Sequence, residues 1–307
     1  MKNKSSRLLC AVVLGFLSLC ASAKDLTNVD DVEHHYTENE GVKLHYAAMG
    51  QGPLVVFLHG WPDYWYSWIA QMNGLKKQYR VVALDTRGYN ESDQPEAAED
   101  YDLAVLAADV EVIIRAEGRE SATIVGHDWG GAIAWYFAMT RPSLTDSLVV
   151  VNFPHPLGIA REVAKGEEQY NMLDYARSFT HPQSHLSLST DLLLTIVDPN
   201  GEKESQYRAA FDRSSFNGMM NYYRQNLPKI SKEFFQDLDN VQVPVLQVHG
   251  LEDIALHPGG LDGTWQWLDN NYTLLTLPQT GHWSHHEEAE TVNKAMKKWL
   301  RQYGPRR

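Results

Sequence analysis

A carboxylate stands where a short glycine-flanked motif would present a catalytic side chain. The motif is Gly126-His127-Asp128-Trp129-Gly130, and it directly follows an apolar run at 122–125. In the related pattern Gly-x-Ser-x-Gly, a sharp turn between a strand and a helix exposes the middle residue. A serine needs a base to remove its proton, whereas a carboxylate is already ionised at neutral pH. Asp128 is therefore predicted to be a nucleophile.

A carboxylate nucleophile suits displacement at saturated carbon. Attack on an ester or amide carbonyl would give a strained anhydride, whereas attack on an sp³ carbon with a leaving group gives an ordinary ester. Asp128 thus indicates cleavage of an epoxide or of a carbon–halogen bond. The alternative is an aspartate that merely caps a helix N-terminus, and the motifs further along the chain favour the catalytic interpretation.

Two further motifs supply a base and an acid. Gly281-His282-Trp283 follows the apolar run 272–277, and His249-Gly250-Leu251-Glu252-Asp253 follows the run 243–247. His282 is predicted to deprotonate water, and Asp253 is predicted to fix the tautomer of His282 and to stabilise its cation. The order nucleophile, acid, base is that of a known hydrolase arrangement.

The choice of acid rests on short local patterns. Glu252 is the adjacent alternative, and Asp253 is preferred because Asp253-Ile254-Ala255-Leu256 resembles the acid-then-apolar run of the hydrolases that have this arrangement. The earlier strand ends in Asn152 and Phe153, which cannot serve as an acid.

A His-Gly turn predicts the oxyanion hole. His59-Gly60-Trp61-Pro62 follows the apolar run 54–58. Such a turn supplies one backbone N–H, and the residue after the nucleophile supplies the other. The predicted donors are the backbone amides of Trp61 and Trp129.

Alternating strands and helices must position these residues. Runs that are apolar on both faces are typical of a buried parallel sheet. The predicted strands are Val42–Met49, Leu54–Leu58, Arg80–Leu84, Ser121–Val125, Ser147–Val151, Val243–His249 and Tyr272–Leu277. Helical spacing occurs at Asp102–Glu117, Trp129–Thr140 and Ala289–Tyr303. This alternation predicts an α/β fold with a mostly parallel, doubly wound sheet.

Residues 156–235 interrupt that alternation. They contain no convincing strand but helix-like stretches such as Ser189–Val197 and Glu202–Phe211. The segment is predicted to be an inserted helical cap over the carboxyl ends of the strands, where α/β sheets bind ligands. The core then comprises 24–155 and 236–307.

The first 23 residues resemble a cleavable secretory signal. Lys2, Lys4 and Arg7 precede the apolar stretch 8–19, and Ala21-Ser22-Ala23 forms a small-x-small cleavage site before Lys24. A membrane anchor is the alternative, but the stretch is short for a bilayer span. A lipoprotein anchored at Cys20 is a second alternative. Cleavage would remove both cysteines of the chain, and we expect a periplasmic or secreted protein with no membrane attachment.

Composition excludes several other classes of function. The chain has 307 residues, is 43% hydrophobic and carries a formal net charge of −12. This balance suits one large α/β domain and argues against nucleic-acid partners.

No metal, nucleotide or other cofactor site is predicted. His285-His286-Glu287-Glu288 is interpreted as a solvated helix start, and Asp85 and Arg87 are expected to organise the loop after their strand.

Five stretches together resemble an epoxide hydrolase of the α/β-hydrolase superfamily, over roughly residues 33 to 303. The resemblance implies an α/β-hydrolase fold and hydrolysis of epoxides to vicinal diols through an ester on Asp128, without a cofactor. The expected partners are a small apolar epoxide and water. The stretches are His59-Gly60-Trp61-Pro62-Asp63, Asp85-Thr86-Arg87-Gly88-Tyr89, Gly126-His127-Asp128-Trp129-Gly130-Gly131, Asn152-Phe153-Pro154-His155-Pro156 and Asn221-Tyr222-Tyr223-Arg224.

Epoxide opening makes a strongly basic alkoxide, so a proton donor is required over the ring oxygen. Epoxide hydrolases of this fold use two cap tyrosines. The resemblance implies Tyr223 as one donor, within Asn-Tyr-Tyr-Arg. Tyr175, seven residues before Pro182, is the other, with Tyr170 as the alternative.

Two other functions fit parts of the pattern. A haloalkane or haloacetate dehalogenase would use the same triad, although many haloalkane dehalogenases carry Asn at the place of Trp61. An inactive ligand receptor on this fold is disfavoured by the intact triad. The identity of the epoxide, the regio- and stereoselectivity, any residual dehalogenase activity and the oligomeric state are not predicted.

Overall fold

A computed structural model describes residues 26–304. This part of the chain contains eight strands, all in one sheet. They are β1 (Glu33–Asn39), β2 (Val42–Met49), β3 (Leu54–Leu58), β4 (Arg80–Leu84), β5 (Ala122–His127), β6 (Thr145–Val151), β7 (Val245–Gly250) and β8 (Tyr272–Leu277). Their order in the sheet is β1-β2-β4-β3-β5-β6-β7-β8.

The predicted α/β-hydrolase fold is confirmed. The sheet is parallel from β4 through β3, β5, β6 and β7 to β8, whereas β2 is antiparallel to both of its neighbours. The order of the strands along the sheet reverses at β3, which has β4 on one side and β5 on the other. Right-handed crossovers therefore place the connecting helices on opposite faces of the sheet. Every residue of β3, β5 and β7 is buried, which explains their apolar sequences.

Helices connect the strands and fill the insertion. They are α1 (Ile69–Leu75), α2 (Leu103–Ala116), α3 (Trp129–Thr140), α4 (Pro156–Lys165), α5 (Glu167–Met172), α6 (Asp174–Phe179), α7 (Thr190–Val197), α8 (Glu204–Arg213), α9 (Phe216–Asn226), α10 (Lys232–Phe235), α11 (Ser284–Glu287) and α12 (Ala289–Tyr303). Helices α4 to α10 all lie between β6 and β7, where no described residue belongs to a strand. The limits 156 and 235 remain predictions as domain boundaries.

The structure differs from the sequence prediction at one edge of the sheet. Strand β1 was not predicted, because Glu33–Asn39 is polar and largely exposed. It joins β2 through a two-residue turn in which Glu40 and Gly41 both have positive φ. The predicted ends of β5, β6 and β7 are wrong by one or two residues. The predicted signal at 1–23 lies outside the described residues, within which no helix has the length and apolarity to cross a membrane.

Candidate active site

Asp128 lies in a tight turn between β5 and α3. Its backbone has φ 50° and ψ −123°, a conformation that residues with a Cβ rarely adopt. A Cβ on Gly126 would come within 2.1 Å of the Gly130 carbonyl oxygen, and one on Gly130 within 2.1 Å of the Leu58 carbonyl oxygen. Glycine is therefore required at both positions for the turn to close, and the turn presents the Asp128 side chain at the carboxyl edge of the sheet.

Two backbone amides hold the Asp128 carboxylate. The amide of Trp61 donates to Oδ1 at 2.8 Å. The amide of Trp129 also hydrogen-bonds to this carboxylate and lowers its pKa. The structure thus brings both predicted oxyanion donors to the predicted nucleophile.

His59 orients one of these amides. Its Nε2 accepts a hydrogen bond from the amide of Thr86 at 3.1 Å, so its Nδ1 carries the proton. That proton is donated to the carbonyl of Gly60 at 2.9 Å. Because the Gly60 carbonyl and the Trp61 amide belong to one peptide plane, this bond directs the amide at Asp128. The sequence prediction gave the His59 side chain no role.

His282 and Asp253 complete a triad with Asp128. The Nδ1 atom of His282 lies 2.9 Å from Oδ2 of Asp253, and its Nε2 lies 3.7 Å from Oδ2 of Asp128. All three side chains are buried. Glu252, the alternative acid, has an exposed side chain.

Asn152 and Ser284 position the acid, and sequence analysis missed this role. The Asn152 amide donates to Oδ2 of Asp253 at 2.8 Å and to the Gly281 carbonyl at 3.1 Å. Ser284 in turn donates to Asn152. Asn152 has φ 49°, a conformation that asparagine tolerates. The sequence signal for this role was the position of Asn152 directly after β6, within the stretch Asn152-Phe153-Pro154-His155-Pro156.

Charge and burial set the pKa values of the triad. Burial lowers the pKa of His282, but Asp253 and Asp128 outweigh it and raise this pKa to about 10. Burial raises the pKa of Asp253, but the charge of His282 and its hydrogen bond hold the value well below the ordinary range. Burial also raises the pKa of Asp128, but the nearby ring of His282 and its charge outweigh burial and lower it. Both carboxylates are therefore ionised at neutral pH.

A cavity of about 290 Å³ opens onto Asp128 and His282. Tyr175 from α6 lines it, and Tyr223 from α9 meets Asp128 in an adjoining recess. The two tyrosine rings lie 6.4 Å apart. Burial raises the pKa of both hydroxyls, so both are protonated at neutral pH. Tyr170, the alternative to Tyr175, is exposed and lies against the guanidinium of Arg177.

One prediction near the site is wrong. His285 is fully buried instead of solvated, because α11 turns it inward against Trp68, with ring centroids 4.4 Å apart. Its Nε2 lies 2.9 Å from the hydroxyl of Ser67. Within residues 26–304, no cluster of three His, Cys, Asp or Glu side chains is arranged to hold a metal ion.

The loop after β4 is organised by two buried charges, as predicted for Asp85 and Arg87. Asp85 accepts hydrogen bonds from the amide of Trp65 at 2.9 Å and from the side chain of Asn90 at 2.7 Å. Arg87 forms a bidentate pair with Asp109, at 2.7 and 2.6 Å. These bonds fix the loop beneath the helices of the insertion.

Comparison with known proteins identifies the family. The model of the alpha/beta hydrolase fold family matches residues 53–289. The chain belongs to the α/β-hydrolase family. It is 32% identical over 289 residues to the AB hydrolase superfamily protein YfhM of Bacillus subtilis, covering 89% of this chain and 99% of that protein.

Named epoxide hydrolases are among the relatives of this α/β-hydrolase. Mouse epoxide hydrolase 4 is 31% identical over 275 residues, covering 83% of this chain and 76% of that protein. A crystal structure of the Bacillus megaterium epoxide hydrolase with an inhibitor superimposes with a TM-score of 0.81 at 30% identity, covering 87% of this chain and 100% of that chain. The predicted resemblance to epoxide hydrolases of this superfamily is confirmed, as is the prediction of an enzyme, a hydrolase.

Proposed function

We propose that this enzyme opens epoxides to vicinal diols through a covalent ester on Asp128. One observation carries the proposal: an ionised carboxylate held by two backbone amides shares its cavity walls with two protonated tyrosines. The carboxylate suits attack on carbon, and the tyrosines suit proton donation to the oxygen that leaves.

In the first step, Oδ2 of Asp128 attacks an epoxide carbon. Oδ1 is held by the Trp61 amide, so Oδ2 is the oxygen available for attack. The new carbon–oxygen bond forms as the ring carbon–oxygen bond breaks, and the ring oxygen takes a proton from Tyr175 or Tyr223. The product of this step is a hydroxyalkyl ester.

In the second step, water attacks the ester carbonyl carbon of Asp128. His282 takes a proton from this water through Nε2, while its Nδ1–H remains bonded to Asp253. Negative charge develops on Oδ1, which already lies 2.8 Å from the Trp61 amide. Collapse of the tetrahedral intermediate breaks the bond to the alkyl oxygen, which takes the proton back from His282 and leaves as the diol. The remaining proton of the Asp128 acid passes to the tyrosinate formed in the first step, which restores both the carboxylate and the tyrosine.

The names of related structures support this substrate class. A variant of the Bacillus megaterium epoxide hydrolase was crystallised with its product, (R)-3-[1]naphthyloxy-propane-1,2-diol, and superimposes on this chain with a TM-score of 0.81 at 31% identity. That product is a vicinal diol on an aryl ether. The apolar wall of the cavity here, with Phe179, Ile196 and Ile254, suits a substituent of similar chemistry.

A dehalogenase is the second candidate, and one observation favours it. The indole N–H of Trp61 is buried without a hydrogen-bond acceptor among the described residues, and it would suit a departing halide. Against haloacids, the described residues that line the cavity include no lysine or arginine to pair with a carboxylate. Two tyrosine donors are also unnecessary for a halide, which leaves without a proton.

Intact-mass spectrometry of His282→Gln tests the proposed function. With excess styrene oxide, this variant should accumulate an adduct with the mass of the substrate, because only the second step needs the base. His282→Gln with Asp128→Asn is the matched control and should carry no adduct. Diol formation by the wild-type protein without an adduct on His282→Gln would contradict the mechanism. Steady chloride release from chloroalkanes, with negligible diol from epoxides, would support the dehalogenase.

We further propose that the enzyme is exported, with a mature chain that starts at or near Lys24. The proposal rests on the positive, apolar and small-residue order of the first 23 residues. Sequencing the N-terminus of protein recovered from the periplasm or medium tests it. A mature chain that starts at a lipidated Cys20 would contradict it.

A further inference from the structure

The histidine that precedes the nucleophile contacts the main chain of the catalytic base. His127 is the last residue of β5, and its ring is fully buried. Its Nε2 lies 2.9 Å from the carbonyl oxygen of His282. A carbonyl can only accept, so Nε2 must carry the proton of the His127 ring. The mechanism proposed above uses only the backbone around Asp128 and assigns no task to this ring.

A second imidazole, in the same segment as His282, packs against the ring of His127. The ring of His285 lies 4.4 Å from that of His127. Its Nε2 lies 2.9 Å from the hydroxyl of Ser67, and its own carbonyl accepts from Gln71 at 2.9 Å. The segment 282–285 is therefore held between the end of β5 and the residues that lead into and form α1.

Both supporting rings are neutral. Burial lowers the pKa of His127 to about 3, and it lowers that of His285 as well. Neutrality matters because the ring of His127 lies 4.7 Å from that of His282. A positive charge so close would oppose the proton that His282 must accept from water.

Packing alone does not account for an imidazole at this position. An apolar side chain of the same size would fill the space but would leave the buried carbonyl of His282 without its donor. Asp253 holds the ring of His282 and does not contact this carbonyl. The base thus has one anchor on its side chain and another on its main chain.

We propose that His127 is a positioning residue for the second step, which holds His282 where its Nε2 meets the attacking water. This inference rests on the proposed two-step reaction. Ester formation needs the Asp128 carboxylate but not the basic nitrogen of His282. Loss of the His127 bond should therefore slow ester hydrolysis and spare ester formation.

Glutamine and methionine at position 127 form a matched pair for the test. The side chains have the same length, but only glutamine can donate to the His282 carbonyl. With styrene oxide in rapid-quench experiments, His127→Met should hydrolyse the ester about 10- to 100-fold more slowly, since small misplacements of a catalytic group cost this much. Its ester-formation rate should stay within about twofold, and His127→Gln should recover most of the hydrolysis rate.

Two further variants keep the test decisive. Ser67→Ala removes the support of His285 and should slow hydrolysis by about twofold to tenfold, the value of one hydrogen bond. His155 is another buried histidine of lowered pKa, at the start of α4, and His155→Met should leave the ratio of the two rates unchanged.

Three results would overturn the inference. The first is an unchanged rate of ester hydrolysis in His127→Met. The second is equal slowing of ester formation and ester hydrolysis in that variant. The third is a rate of ester hydrolysis in His127→Gln no higher than in His127→Met. If the wild-type protein itself forms no ester, the proposed function fails instead, so the two failures are distinguishable.

Discussion

The two aspartates of the triad have different hydrogen-bonding surroundings. Asp253 accepts from the amides of Ala255 and Leu256, from Asn152 and from His282, so both of its oxygens are engaged. For Asp128, the Trp61 amide lies on Oδ1, and Oδ2 lies 3.7 Å from Nε2 of His282, beyond hydrogen-bond distance. The same side chain is therefore suited to orienting a base at one position and to attacking carbon at the other.

Ester formation should change the basicity of His282. The charges of Asp253 and Asp128 outweigh burial and raise its pKa to about 10 in the free enzyme. Esterification removes the charge of Asp128, so the cation loses stabilisation and this pKa must fall. We expect ester hydrolysis to accelerate with rising pH through an inflection below the pKa of His282 in the free enzyme.

Two measurements compare the pKa of His282 in the ester with that in the free enzyme. Single-turnover decay of the ester across pH gives the first value, and an NMR titration of the free enzyme gives the second. His282 is protonated below the lowered pKa and cannot then accept a proton, which fixes the sign of the pH dependence. An inflection at or above the free-enzyme pKa would exclude the role of the Asp128 charge.

Removal of both tyrosine hydroxyls should slow ring opening. Positioned proton donors contribute on the order of 10²–10⁴-fold, and two donors share the task. The Tyr175→Phe/Tyr223→Phe variant should therefore lose about 10²–10⁴-fold in ester formation, and each single variant less. Ester hydrolysis should be unaffected, because the hydroxyls face the leaving oxygen. Tyr170→Phe is the control, and an unaltered alkylation rate in the double variant would argue for the dehalogenase.

Residue spacing predicted some of these positions better than others. Asp128, Asp253 and His282 each follow an apolar run, and parallel strands end at one edge of the sheet, so their proximity follows from the fold. Tyr175 and Tyr170 are five residues apart on different short helices. Which of them faces the cavity depends on how α5 and α6 pack, and local sequence carries little information about that.

At the scale of the elements, the turn before α3 depends on the absence of a side chain at Gly126. A methyl group there would lie 2.1 Å from the Gly130 carbonyl oxygen, which is backbone and cannot move away cheaply. We expect Gly126→Ala to lower the free energy of unfolding by at least about 3 kcal/mol, the upper end of the usual cost of overpacking. Urea denaturation measures this loss.

Gly166 provides the control for that prediction. It lies between α4 and α5 in extended backbone, and a methyl group placed on it would have no neighbouring atom within 4 Å. Gly166→Ala should change the free energy of unfolding by less than about 0.5 kcal/mol, as at ordinary surface sites. Equal losses in the two variants would mean that crowding at the elbow is not the cause.

The elements that sequence analysis misjudged lack an apolar repeat. Strand β1 is stabilised by pairing with β2 rather than by burial, and the signal for it was the Glu40-Gly41 turn. Helix α11 has only four residues, Ser284–Glu287, too few to show a buried face in the sequence. The burial of His285 follows from the segment being drawn against Ser67 and Gln71, which are distant in sequence.

At the scale of the molecule, polar bonds join the insertion to the core. Tyr207 of α8 donates to Oδ1 of Asp63 at 2.9 Å, and Tyr222 of α9 donates to the carbonyl of Arg87 at 2.9 Å. Tyr222 immediately precedes Tyr223. The core loops beside Asp128 therefore also fix α9, the helix that carries Tyr223. Both parts of the fold thus set the distance between Asp128 and this tyrosine.

A chain that begins at Lys24 contains no cysteine, since the two in the sequence are Cys10 and Cys20. Its stability must come from the core and from bonds such as Arg87–Asp109. We expect the melting temperature of the exported protein to be unchanged by dithiothreitol, as measured by circular dichroism. A drop under reducing conditions would show that cysteine is retained and would contradict cleavage before Lys24.

The positive φ of Asp128 also bears on how this protein would evolve. Asp128, the proposed nucleophile, occupies a backbone conformation that favours glycine and costs other residues roughly 1–3 kcal/mol. We expect Asp128→Gly to raise the free energy of unfolding by about 1 kcal/mol while abolishing turnover, as urea denaturation and a diol assay would measure. Selection for activity and selection for stability thus oppose each other at this position. A lineage that no longer needed the reaction would be expected to lose Asp128 early, with the rest of the fold intact.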